Sequence, residues 1–194
     1  NATERHITAA YVTVAQRVAS DPLAFWADVL EMPRDEIASM ADDPPAFKNT
    51  IRGRLMKRGG VGYVQPGPET FPKVEQLHEM VTLLGALPCF TWLDGTSAGE
   101  QAVEELLGLM IDKGAVAVNV IPDRNWNITD PDQKEIKLRN LYEIVRLAQE
   151  RDLPLNVGTE MNKYGLKLVD DFDAPELAPV RQAFLAGALF IYGH

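Results

Sequence analysis

Near residue 60 the chain changes its hydrophobic period, and this limits the folds open to it more than any other feature. Before that point every signal is helical. Thr3 stands where an N-cap belongs, ahead of Ile7, Tyr11, Val14 and Val18 at helical spacing. Asp21-Pro22 opens a second helix that carries Phe25, Trp26, Val29 and Leu30. Pro33 stops it and starts a third, Asp43-Pro44-Pro45 starts a fourth that runs to Met56, and Gly59-Gly60 ends the series. After that point short apolar runs alternate with helical stretches. Strands are predicted in 60–64, 87–93, 115–121, 153–158 and 189–194, and helices over about 70–85, 98–113, 130–151 and 175–186.

Near-continuous apolar strands that alternate with helices imply a parallel sheet covered on both faces. A doubly wound dinucleotide fold loses support because no G-x-G-x-x-G follows any strand. A TIM-like (β/α) barrel is favoured, since acidic residues recur just after the predicted strands, where a barrel gathers its active site. The expected organisation is a helical insertion or cap over 1–58 and a barrel portion over 59–194. The chain starts at Asn1 and stops in the apolar run FIYGH, so it reads as part of a longer polypeptide.

A net charge of −9 argues against a nucleic-acid partner. The longest apolar run, Leu185 to Tyr192, is too short to span a membrane. Cys89 is the single cysteine, which excludes an internal disulfide; with no secretion signal, a cytoplasmic location is expected. Its place inside a strand predicts a buried structural thiol. One basic cluster, Arg52, Arg54, Lys57 and Arg58, reads either as a solvated helix face or as an anion site.

Three carboxylates are the candidate catalytic groups. Glu160, in VGTEMNKYG, follows a strand; a carboxylate there must be paired or metal-bound, because desolvating it unpaired is too costly. It reads as a metal ligand or general base, with Asn162 and Lys163 orienting a substrate, or as a plain loop carboxylate. Asp94, in TWLDGTS, is either a turn residue ahead of Gly95 or part of a pocket with Trp92. Asp123 opens DRNWN, in which Arg124 is suited to hold a carboxylate or phosphate. At the other end of the chain, Arg5 and His6 lie in the first turn of a helix, a favourable place for an anion. His78 falls in mid-helix and reads as structural. His194 ends the last predicted strand.

The motifs KRGGVGYVQP (57–66), LPCFTWLDGTS (87–97), VGTEMNKYGLKLVDDF (157–172) and FIYGH (190–194), with NATERH (1–6), resemble the PHP-like (polymerase and histidinol phosphatase) metal-dependent hydrolases, which are similar in style to amidohydrolases. The resemblance implies a distorted β/α barrel, one to three divalent ions (Zn²⁺, Mn²⁺ or Mg²⁺) and hydrolysis of a small anionic substrate, a phosphate ester or similar, by metal-activated water. By position it assigns the metal to His6, Glu160 and His194. The family's first-strand H-x-H is missing and would lie upstream of Asn1. A uronate-isomerase-like sugar isomerase and a non-catalytic ligand-binding barrel are the alternatives.

Overall fold

The computed structural model describes residues 3–161 and 167–194. The chain divides after Phe71 into two compact units, thirteen residues beyond the change of period at residue 58.

The first unit holds helices α1 (Glu4–Val18), α2 (Pro22–Val29), α3 (Arg34–Ala41) and α4 (Pro44–Met56). Their starts follow the sequence signals. Asp21 caps α2 through the Ala24 amide at 3.0 Å, and Asp43 caps α4 through the Ala46 amide at 3.2 Å; each is followed by proline at the first helical position. The helices enclose Ala15, Trp26, Leu30, Ile37, Phe47 and Ile51. Trp26 meets Phe47 edge-on, with ring centroids 5.7 Å apart.

The predicted strand 60–64 is not a strand. Gly59 takes a left-handed turn (φ 88°), and the Gly62 amide donates to the Arg54 carbonyl at 3.0 Å. GVGYV therefore folds back onto the end of α4 and satisfies one of its orphan carbonyls. A Cβ at Gly60 would overlap the Arg54 carbonyl, so this turn needs glycine.

The second unit holds α5 (Val74–Leu83), β1 (Cys89–Thr91), α6 (Ala98–Gln101), α7 (Val103–Asp112), β2 (Ala117–Val120), α8 (Asp123–Trp126), α9 (Pro131–Glu150), β3 (Leu155–Val157), a 3₁₀ turn (Pro175–Leu177) and α10 (Arg181–Gly193). Among the described residues the three strands form one open parallel sheet in the order β1-β2-β3. This overturns the expected barrel: the sheet is not closed, and the two outermost predicted strands are absent. Residues 189–194 carry on the helix begun at Arg181 up to Gly193. Ala183, Phe184 and Gly187 are buried at helical spacing, and a short apolar run does not separate strand from helix by pattern.

Side chains alternate across the sheet. Phe90, Val118, Val120 and Leu155 point into a core with Leu107 of α7, Leu141, Ile144 and Val145 of α9, and Phe184 of α10. The other face is polar where three matched residues meet. Asn119 Nδ2 donates to Thr91 Oγ1 at 3.3 Å, and Asn156 Nδ2 donates to Asn119 Oδ1 at 2.8 Å. Thr91 and Cys89 are exposed residues on this face, so among the described residues the expected cover on both sides is not found and Cys89 is not a fully buried thiol. Partial burial of its sulfur still pushes the thiol up to about 11, which leaves little nucleophilic thiolate at neutral pH.

Candidate functional site at the strand ends

In-register parallel strands bring their following loops to one edge. The loop after β1 carries Trp92 and Asp94, α8 follows β2 directly, and the segment after β3 carries Glu160 and Asp170. Asn125, fully buried in α8, ties two of these together: its Nδ2 donates to the Leu93 carbonyl at 3.0 Å and the Ile121 carbonyl at 3.1 Å. A third tie runs from the Asp123 amide to Asp170 Oδ2 at 3.0 Å.

Asp94 builds the first loop. Its Oδ1 accepts from the Thr96 amide at 3.1 Å and from Thr96 Oγ1 at 2.5 Å, and its Oδ2 accepts from Lys137 Nζ at 3.0 Å. Burial by itself raises this carboxyl, but the bonds from Thr96 and Lys137 outweigh it and hold it below the usual Asp range. Gly95 follows with φ 72°, where a Cβ would strike the Asn140 side chain. The Asp-Gly pair is thus a turn whose carboxylate is engaged by its own structure.

Arg124 reaches across to Glu160. Its Nη1 lies 3.1 Å from each of the Glu160 carboxylate oxygens. One nitrogen facing two oxygens is not the two-pronged fork of a saturated Arg–carboxylate pair, and Nε is buried with no partner among the described residues. Arg124 shares a cavity of about 470 Å³ with Asp94, Thr96, Ser97 and Phe90.

Asp170 was not singled out by sequence reasoning. It is buried, with Oδ2 on the Asp123 amide and Oδ1 unpartnered among the described residues. Burial is the main cause that pushes its carboxyl up to about 6; the Asp123 amide opposes the rise, and the neighbouring Asp123 carboxyl adds to it. Asn127 Nδ2 donates to Asp123 Oδ1 at 3.1 Å, and Lys167 Nζ lies 5.6 Å from the centroid of the Trp126 ring. The only sequence sign of Asp170 is the run VDDF that ends the motif at 157–172.

Among the described residues, the buried side-chain nitrogens and oxygens without a hydrogen-bond partner belong to Trp92, Arg124, Asn125, Trp126 and Asp170. All five lie in the segments that follow the strands. No family model matches the chain, and no curated protein or solved structure is significantly similar to it.

Two of the three residues expected to hold a metal have other partners. His6 belongs to the first unit, where its Nδ1 accepts from the Thr3 amide at 3.1 Å and so helps to cap α1. Glu160 faces a guanidinium, and His194 follows a helix rather than a strand. Among the described residues no three His, Cys, Asp or Glu side chains come together as a metal-holding group. Arg5 also lies in the first unit, and its Nη1 is 3.5 Å from Asn49 Oδ1. Asn162 and Lys163 lie outside the described residues. His78 is structural, as its mid-helix position suggested: its Nδ1–H donates to the Lys113 carbonyl at 2.7 Å and ties α5 to the end of α7. No described helix is long and apolar enough to cross a membrane.

Proposed function

We propose that the strand ends of the second unit form a proton-transfer site for a small anionic substrate, such as a phosphate ester, with Arg124 holding the anion and Asp170 exchanging the proton. The observation that carries this reading is that the unpartnered buried side-chain polar atoms among the described residues all belong to the segments that follow the strands. Buried donors and acceptors are normally satisfied, so a cluster of exceptions calls for a ligand or bound water. Arg124 Nε and the indole Nε1 atoms of Trp92 and Trp126 offer donors; Asp170 Oδ1 and Asn125 Oδ1 offer acceptors.

The chemistry follows from the carboxyls. Asp170 is protonated in part near neutral pH, as a general acid must be to deliver a proton to a leaving oxygen. A substrate anion held by Arg124 lies beside the Glu160 carboxylate, which serves as the base for water. Hydrolysis is the reaction class that uses both. The supporting fact for substrate charge is Arg124, whose guanidinium is only partly saturated.

The test is a titration with phenyl phosphate, followed through the indole N–H signals of Trp92 and Trp126 and the Arg124 Nε–H signal. Shifts at these positions that vanish in Arg124→Gln support the site. Release of phenol from phenyl phosphate, whose basic leaving oxygen needs a proton, is expected to fall roughly hundredfold or more in Asp170→Asn, the usual scale of a lost general acid. Unmoved indole signals with phosphate and carboxylate probes alike would sink the binding site. Binding without any turnover would leave a ligand-binding module and overturn the catalytic half.

A further inference from the structure

The first unit carries a second charged feature that the strand-end site does not use. Between Asp43 and Glu69 the sequence holds Lys48, Arg52, Arg54, Lys57 and Arg58 and no carboxylate. The fold gathers part of this run. On α4, Pro45, Lys48, Asn49 and Arg52 recur at helical spacing, and on α1 Arg5 and Thr8 do the same; together they line one cavity of about 230 Å³.

Charge inside that cavity is only partly compensated. Among the described residues neither Arg5 nor Lys48 has a carboxylate within 4.0 Å. Arg52 is paired through Nε with Glu4 at 2.5 Å, and Glu4 is shared with Lys57 at 2.9 Å. A single carboxylate thus answers two cations at the edge of the group and leaves Arg5 and Lys48 without an anion. The net charge of the whole chain is −9, so a local cluster of like positive charge is not a by-product of composition. Thr8 is buried on the cavity wall, its Oγ1 donating to the Arg5 carbonyl at 3.0 Å, which fixes the first turns of α1.

We infer that the cavity between α1 and α4, lined by Arg5, Lys48 and Arg52, binds a phosphate group. The lining is cationic and polar rather than apolar. A tetrahedral dianion accepts from several donors at once, which a carboxylate monoanion does less well, and guanidinium groups suit its oxygens. The group is either free inorganic phosphate or the phosphate of an organic molecule, and both present the same oxygens to these side chains.

The experiment uses the whole chain, labelled with ¹⁵N, and titrates inorganic phosphate, ribose 5-phosphate and acetate at constant ionic strength. The readouts are the Arg5 and Arg52 Nε–H signals and the amides of Thr8 and Asn49, which report this cavity and not Arg124. Arg124→Gln is measured in parallel, so that failure of the strand-end site is seen separately. Saturable shifts with the phosphates, at least tenfold weaker in Arg5→Gln/Lys48→Gln and unchanged in Arg54→Gln, are expected. A stronger response to ribose 5-phosphate assigns the site to an organic phosphate; an equal response assigns it to the free ion. The proposal is overturned if acetate shifts the same signals equally, if Arg54→Gln weakens binding as much as the double variant, or if the signals stay still in the folded wild type.

Discussion

Gly187 of α10 sits against the main chain of Leu155 so closely that a Cβ would overlap the Leu155 carbonyl oxygen and lie 2.8 Å from its nitrogen. The β2–β3 ladder uses Pro154 O and Gly158 N on one side of β3. By the alternation of a strand, the Leu155 amide and carbonyl then face the open edge. The helix therefore covers a sheet edge that would otherwise invite another strand.

Substituting this glycine tests the arrangement. Gly187→Ala is expected to destabilise the second unit by about 1–3 kcal/mol, the cost of forcing atoms into a packed contact, despite alanine's better helix propensity. Urea denaturation followed by far-UV circular dichroism reads the shift in midpoint. A stability equal to or above wild type would show that α10 does not press on β3.

The two buried aspartates respond to pH with opposite signs. Asp170 has a folded pKa raised from 3.8 to about 6. The unfolded chain gives up this proton first, so stability falls as pH rises from about 4 to about 6 and is level above. The penalty is about 2–3 kcal/mol at pH 7, and Asp170→Asn is expected to remove much of it. Asp94 is lowered instead, with burial opposing and the Thr96 and Lys137 bonds prevailing. Its contribution is whole above the usual Asp range and is lost as pH falls through its folded value. Stability profiles of wild type, Asp170→Asn and Asp94→Asn between pH 3 and 8 separate the two. An Asp170 carboxyl ¹³C signal that titrates near 4 would contradict the first.

Glu160 and Arg124 have side chains 36% and 35% exposed, so their ion pair is close to a surface pair in strength. Glu160→Gln is expected to change stability by less than about 1 kcal/mol while tightening phenyl phosphate binding, because the competitor for Arg124 is weakened. Isothermal titration calorimetry measures both partners' variants. Weaker binding in Glu160→Gln would mean that Glu160 orders Arg124 for the ligand rather than competing with it.

The two cores have no residue in common. Trp26→Ala is expected to cost about 3–5 kcal/mol, typical for an aromatic removed from a core, and to act on the first unit only. Hydrogen exchange should then speed up across α1–α4 and stay unchanged in β2 and α9. Equal loss of protection in both units would show that they fold as one.

Parts of this architecture were legible in the sequence for definite reasons. Asp-Pro marks the starts of α2, α4 and α9, since the aspartate caps and the proline needs no helical donor. The three strands fall inside runs of Val, Leu and Phe that no helical period explains. GVGYV misled because its glycines serve contacts with the Arg54 carbonyl, which are invisible without the fold. FIYGH misled because an apolar run carries no period. Trp92 and Arg124 were recognised from their place after strands, whereas Asp170 depends on meeting Asp123, 47 residues away, a proximity that no local pattern encodes.

Asn119 touches both neighbours in the polar row, and this bears on the order in which the sheet assembles. Thr91 lies 28 residues before it and Asn156 37 residues after it. A slip of one residue, about 3.3 Å, would set an apolar Val118 or Val120 where the amide belongs and leave its partners unmatched. β2 is thus the template, and each outer strand finds its alignment by docking on it rather than on the other. Lengthening the crossovers through α7 or α9 would slow the closure of those loops, yet the alignment reached at the end would be the same.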